Sequence, residues 1–170
     1  INPDFVRLAG AAGEGTICST GPIMVVDQLP DSNPTKKIGL AFSDELEILA
    51  SPFEVWPQEE ARTLDRLARL CREEGVQALA VGLPRHKDGA ESATAPAARA
   101  FGEALADRTG LPLRFVNEHL SSAEAERLLR ERGVKPDKRK ALLDAAAAAV
   151  ILAELLEERR AKGVAPFSLD

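Results

Sequence analysis

The 170-residue chain contains no tyrosine, and aromatic residues make up only 4% of it. Its core must therefore be built from aliphatic side chains and alanine-rich helices, and no aromatic platform for stacking the bases of single-stranded RNA is visible. Cysteine is nearly absent too. Cys18 and Cys71 match no metal-ligand spacing and give no disulfide framework, which fits a cytoplasmic protein with reduced thiols. No apolar run reaches the roughly 18 residues of a membrane span; the longest, Ala145 to Ala153, reads as a buried helix. No basic segment leads into an apolar stretch near the start, so no secretory signal is expected. Residues 1–20 are expected to be a leader, 21–162 one folded domain, and 163–170 a tail.

What is present is ordinary for a globular protein, with 45% hydrophobic and 29% charged residues. The net charge of −5 argues at first against a nucleic-acid partner, but its distribution does not. Arg127, Arg130, Arg132, Lys135, Lys138, Arg139 and Lys140 crowd one stretch with little acid between them. Arg85, His86 and Lys87 form a second cluster, and Lys36 with Lys37 a third. Each cluster alone reads equally well as a solvated helix end or loop.

The pattern along the chain is mixed. IMVVD (23–27), KIGLAFS (37–43) and a run near Leu46–Pro52 suggest a three-strand antiparallel meander, with a turn at Ser43–Glu45. The period then changes. Leu64, Leu67, Ala68 and Cys71 share a helical face over 59–74, closed by Gly75. VQALAVGLP (76–84) is the continuous apolar run of a strand buried on both faces. A helix over 93–108, a strand over 113–116, a helix over 122–132 and a long helix over 138–160 follow. The expectation is a mixed α/β fold with a five-stranded sheet, three strands in a meander plus two parallel ones, flanked by helices and ending in a long C-terminal helix.

Strands of a parallel sheet end at a common edge, where α/β proteins place their sites. Asp27 ends the first strand and Glu118 the fifth. In ALLDAAAAAVILA (141–153) Asp144 is the only charged residue, with Ala141, Ala148 and Ile151 as helical neighbours. Asp137 is the expected N-cap of this helix, so Asp144 lies well inside it. A carboxylate on an apolar stripe must be paired or metal-bound, because burying it alone is costly. Each acid has a plainer explanation: Asp27 as a loop cap, Glu118 paired with Arg114 or Arg127, Asp144 paired with Lys140. Together, three acids from separate elements suit one or two Mg²⁺ or Mn²⁺ ions, hard cations that take oxygen ligands. Such a centre can activate water against a phosphodiester.

KIGLAFSD, VGLPRHKDG, VNEHLSSAEAERLL and LLDAAAAAVIL, in this order, resemble the motifs of the bacterial YqgF/RuvX family, and the resemblance runs over about residues 23–160. It implies an RNase H-like fold and a role as a pre-16S rRNA nuclease or Holliday-junction resolvase. Carried across, the family pattern makes Asp27, Glu118 and Asp144 the catalytic, metal-binding acids. There are departures. The family's short glycine-containing turn after the first Asp is QLPDSNP here, although Lys36 and Lys37 keep its basic position. Its Asp-Glu-Arg-Leu-Thr-Thr reads Asn117-Glu118-His119-Leu120-Ser121-Ser122. Asn117 then stands as a neutral oxygen ligand or a hydrogen-bonding group beside Glu118. His119 removes a bidentate phosphate contact unless it is protonated or acts in proton transfer; a plain surface histidine is the alternative reading.

The expected function is a metal-dependent nuclease acting on RNA, with structured DNA as the alternative. Lys36, Lys37, Arg85, Lys87, His119, Lys135, Lys138, Arg139 and Lys140 are the expected nucleic-acid contacts, acting on phosphates rather than bases. Asp88 and Gly89 read either as a plain loop turn or as an approach to the metals. A competing class is a non-catalytic nucleic-acid-binding ribosome-assembly factor, motivated by Asn117 and His119. An ATPase of the actin-like kind is disfavoured, because QLPDSNP lacks the glycine a phosphate loop requires. No membrane partner is expected, and a homodimer is left open.

Overall fold

The computed structural model describes residues 23–28, 37–86, 88–118 and 121–163. The expected leader, most of the tail, Lys36, Lys87 and His119 lie outside the described residues, as do the side chains of Asp27 and Glu118. Five strands, β1 (Ile23–Gln28), β2 (Lys37–Ser43), β3 (Ala50–Pro57), β4 (Ala78–Pro84) and β5 (Leu113–Glu118), form one sheet in the order β3-β2-β1-β4-β5. The β1–β2 and β2–β3 pairs are antiparallel, whereas β1–β4 and β4–β5 are parallel. Helices α1 (Glu60–Glu73), α2 (Ala95–Thr109), α3 (Ser121–Glu131) and α4 (Pro136–Ala161) complete the chain.

The two faces of the sheet differ in side-chain size, and this decides what packs on each. Met24, Val26, Ile38, Leu40, Leu79 and Val81 point to one side and meet Leu67, Leu70 and Cys71 of α1 with Phe101 and Leu105 of α2. The opposite side carries Ala41, Ala78 and Ala80 against Ala148, Ile151, Leu152 and Leu155 of α4. Small residues on both partners let helix and sheet approach closely. The other flank of α4, with Ala146, Ala147 and Val150, packs on Ala125 and Leu129 of α3. The alanine run is therefore buried on two sides, which is why it shows no single apolar stripe.

Two expectations need correction. The third strand begins at Ala50, not near Leu46, because residues 44–49 form a tight turn. The Asp44 carboxylate accepts the backbone N–H of Ile48 at 2.6 Å and of Leu49 at 2.8 Å, and Glu47 adopts φ 53°. The buried Glu47 carboxylate then accepts Nε of Arg159 at 2.7 Å and Nη2 at 3.0 Å. Leu46 and Ile48 are apolar but exposed, so hydropathy alone misread them as strand. The second correction is the cap of α4. Lys135 is the N-cap, without a side-chain cap bond, and Pro136 takes the first helical position, where its missing N–H costs nothing. Asp137 lies one residue inside, in the first turn, where the helix dipole favours an acid.

Candidate active site

The site edge is built from backbone register. Asp27 pairs with Gly39 across β1 and β2. Gly39 lies directly under α4: a Cβ added there would stand 2.1 Å from the carbonyl oxygen of Asp144 and 2.8 Å from the N of Ala145. Only glycine permits this contact, a recognised meaning of glycine inside a strand. Position 27 is thus one strand away from the point where Asp144 leaves the helix backbone. On the other side of β1, β4 and β5 end together, with Pro84 in register with Glu118. Position 118 has the pleat parity of Val116, which packs on the α4 side. Asn117 has the parity of Phe115, which packs into the opposite core, and its side chain is exposed.

Asp144 is half-buried, and burial pushes its carboxyl above the ordinary carboxylate range, while the charge of Lys37 opposes that rise. Among the described residues, no cation lies within salt-bridge distance of it, so the plainer alternative, a pairing with Lys140, is absent. The alternative partners for Glu118 are also engaged elsewhere. Arg114 donates to Glu158 at 3.1 Å, and Arg127 pairs with Glu124 and Glu131. Among the described residues no cluster of metal-ligating side chains is complete; Asp144 is the only member of the expected trio whose side chain is described.

The basic residues divide between two elements. After β4, Arg85 donates to the carbonyl of Gly89 at 3.2 Å, and Asp88 accepts the N–H of Ala90 at 3.0 Å. Asp88 therefore holds the turn, with Gly89 at φ 85°, which is the plain reading of this pair. Lys135, Lys138 and Lys140 are exposed on the segment leading into α4 and its first turns, and Arg139 is half-buried there. Arg139 and Lys140 line a cleft of about 520 Å³ with Arg130, Glu126 and Leu143. The Nε of Arg139 is buried without a hydrogen-bond partner. In the sequence Gly39 stands within the run KIGLAFS, and a lone glycine inside an apolar strand is the signal for this helix approach.

One family model matches most of the chain. Residues 34–158 match the family described as "RuvX: Holliday junction resolvase", a span that holds Lys37, Glu118 and Asp144 and begins after Asp27. A protein of Anaeromyxobacter sp. is 42% identical over 127 residues, covering 74% of this chain and 92% of the relative. One of Symbiobacterium thermophilum is 41% identical over 128 residues, covering 75% and 89%. One of Lachnospira eligens is 36% identical over 130 residues, covering 74% and 93%. All three carry the name "Putative pre-16S rRNA nuclease". Among solved structures, RuvC of T. thermophilus, in complex with a Holliday junction substrate, aligns over 86% of this chain and 98% of its own, with a TM-score of 0.50 at 15% identity. At that identity the likeness is one of fold.

Proposed function

The chain belongs to the RuvX family, and from that membership we propose that it is a divalent-metal-dependent nuclease whose preferred substrate is RNA of the pre-16S rRNA type. The observation that carries the proposal is the juxtaposition of Asp27, Gly39 and Asp144 at the sheet edge where β5 also ends in Glu118. The donor chemistry fits a hard cation: Asp144 is a desolvated carboxylate with no ion-pair partner among the described residues, and positions 27 and 118 add carboxylates from neighbouring strands. In this reading Asp27, Glu118 and Asp144 hold Mg²⁺ or Mn²⁺. A cation bound there supplies charge that activates water and stabilises the leaving oxygen of a phosphodiester.

The chain's own residues do the rest. Lys37 favours the ionised form of Asp144 and stands ready to meet a phosphate at the same edge. Lys135, Lys138 and Lys140 precede Asp144 on the same helix segment, and Arg85 follows β4, so all can orient the strand through its phosphates without reading sequence. Lys36, Lys87 and His119 belong to the same proposal. Asn117 takes the opposite pleat and is not assigned to the metals.

The relatives' names support RNA, whereas the family description supports a four-way DNA junction, and one assay separates them. Purified protein is incubated with labelled single-stranded RNA, single-stranded DNA and a four-way junction, with Mg²⁺, Mn²⁺ or EDTA. Asp27→Asn, Glu118→Gln and Asp144→Asn run in parallel. The expected result is metal-dependent cleavage, fastest on RNA and reduced at least 100-fold in each variant. Fastest cutting of the junction would move the substrate to DNA. Binding without cleavage in every arm would leave a non-catalytic RNA-binding factor.

A further inference from the structure

We infer that the exposed arginine face of α1, on the sheet face opposite α4, is a second contact for the nucleic-acid backbone. The inference rests on the proposed nuclease function and concerns where the strand runs after it leaves the acids.

The connection is set by register. Lys37, which acts on Asp144, pairs with Pro57, and Ile38 pairs with Trp56. The chain then turns into α1, and Thr63 locks the junction by accepting the N–H of Glu59 at 2.6 Å and donating to the carbonyl of Pro57 at 3.3 Å. The first turns of α1 therefore stand at the same sheet edge as Asp27 and Lys37, on the far side of β2 and β3 from α4. Arg62, Arg66 and Arg69 are spaced i, i+4, i+7 and share one exposed helical face. Trp56, Arg62 and Arg66 line a cleft of about 350 Å³ there.

Two of these three arginines stand without a carboxylate partner among the described residues, and Arg62 pairs with Glu59. Several other surface arginines are engaged by carboxylates, Arg99 by Glu91, Arg108 by Asp65 and Arg114 by Glu158, whereas Arg85 and Arg160 donate to the backbone carbonyls of Gly89 and Ile48. Among the described residues, Arg66 and Arg69 have no carboxylate within salt-bridge distance. Arg66 instead lies over the Trp56 ring, its guanidinium carbon 3.9 Å from the ring centroid. The nearby acids are already engaged. Glu54 accepts the indole N–H of Trp56 at 2.6 Å, and Glu59 pairs with Arg62 at 3.3 Å.

Stacking holds Arg66 in place and leaves its donor edges free, so less side-chain entropy is lost when it meets a phosphate. Trp56 itself is buried, at 6% exposure, and covered by Arg66. Bases therefore cannot stack on it, and the contact is to phosphates. That makes the surface indifferent to base sequence and strongly salt-dependent.

Trp56 is the only tryptophan in the chain, which supplies a local reporter. Full-length wild type, Arg69→Gln and Arg66→Gln/Arg69→Gln are titrated in EDTA with labelled single-stranded RNA and DNA of one sequence, across a salt series. Anisotropy gives affinity, and Trp56 emission reports the cleft. Arg108→Gln serves as a charge-matched control, and circular dichroism confirms folding. The expected result is a salt slope lowered by about 0.7 in Arg69→Gln and about 1.4 in the double variant. Kd rises at least several-fold in the double variant, Arg108→Gln is unchanged, and wild-type Trp56 emission saturates together with anisotropy. If wild type binds and cleaves but the double variant keeps its slope and Kd, this inference fails and the nuclease reading stands. If wild type binds neither strand, both fail.

Discussion

A single added carbon on Gly39 would lie 2.1 Å from the carbonyl oxygen of Asp144. The contact is backbone to backbone, so no rotamer change can relieve it. Gly39→Ala is expected to push α4 from the sheet and cost about 3 kcal/mol or more. It should also lower cleavage beyond what the loss of folded protein explains, because the shift moves Asp144 away from position 27. Urea denaturation and single-turnover cleavage at a temperature where both proteins are folded test this. An unchanged midpoint would mean that the helix does not lie this close.

Asp144 should weaken the fold at neutral pH when no metal is present. Its carboxyl is held above the ordinary range by burial. Below the unfolded value of about 4, the group is neutral in both states and costs nothing. As pH rises, the unfolded chain ionises first, and the folded chain bears the penalty fully once pH passes the native value. Asp144→Asn in EDTA should therefore match wild type at low pH and become relatively more stable as pH rises, then level off. Denaturant midpoints between pH 4 and 7 decide it. Lys37→Gln should enlarge the difference, since the Lys37 charge lowers the Asp144 value.

Adding cation should reverse that order. Mn²⁺ at 100-fold over its Kd stabilises a protein that binds it only when folded by about 2.7 kcal/mol. Wild type is expected to gain most of this, and Asp144→Asn little. Equal gains in thermal midpoint would show that any bound cation sits elsewhere.

The buried Glu47–Arg159 pair should be intolerant of losing one member. Glu47→Gln leaves the guanidinium uncompensated and is expected to cost about 3–5 kcal/mol. The readout is the denaturant midpoint, and a change below about 1 kcal/mol would mean that water reaches the pair.

Cys71 is buried beside Met24, and burial pushes its thiol up to about 11. In a Cys18→Ser background, native protein at pH 8 should resist thiol labelling, because the reactive thiolate is scarce and shielded. Labelling should become fast only on unfolding. Rapid labelling of native protein would contradict the burial.

Much of the sheet and of the acidic edge was legible in the sequence. Apolar runs bounded by turn residues located β1, β2 and β4, and strand ends picked out positions 27 and 118. The isolated charge of Asp144 was legible because an alanine-rich stretch admits no other polar residue. The turn at 44–49 was not legible, since Leu46 and Ile48 carry a strand's hydropathy while the Asp44 carboxylate and the Glu47 backbone impose a turn. The Lys135 cap was hidden because a favoured capping residue, Asp137, stands two positions later. The arginine face of α1 escaped notice because its meaning depends on Trp56, which arrives from a different element.

Helix α4 is anchored at two remote points: Asp144 against Gly39 near its start, and Arg159 in Glu47 near its end. Fifteen residues of helix, about 22 Å at 1.5 Å per residue, separate them. Each residue also advances the helix by about 100°. Inserting or deleting one residue between them would swing one anchor a quarter-turn or more out of line while the other stayed docked. The helix thus works as a ruler and a clock hand together. Between the anchors both the number of residues and the smallness of those facing the sheet are fixed.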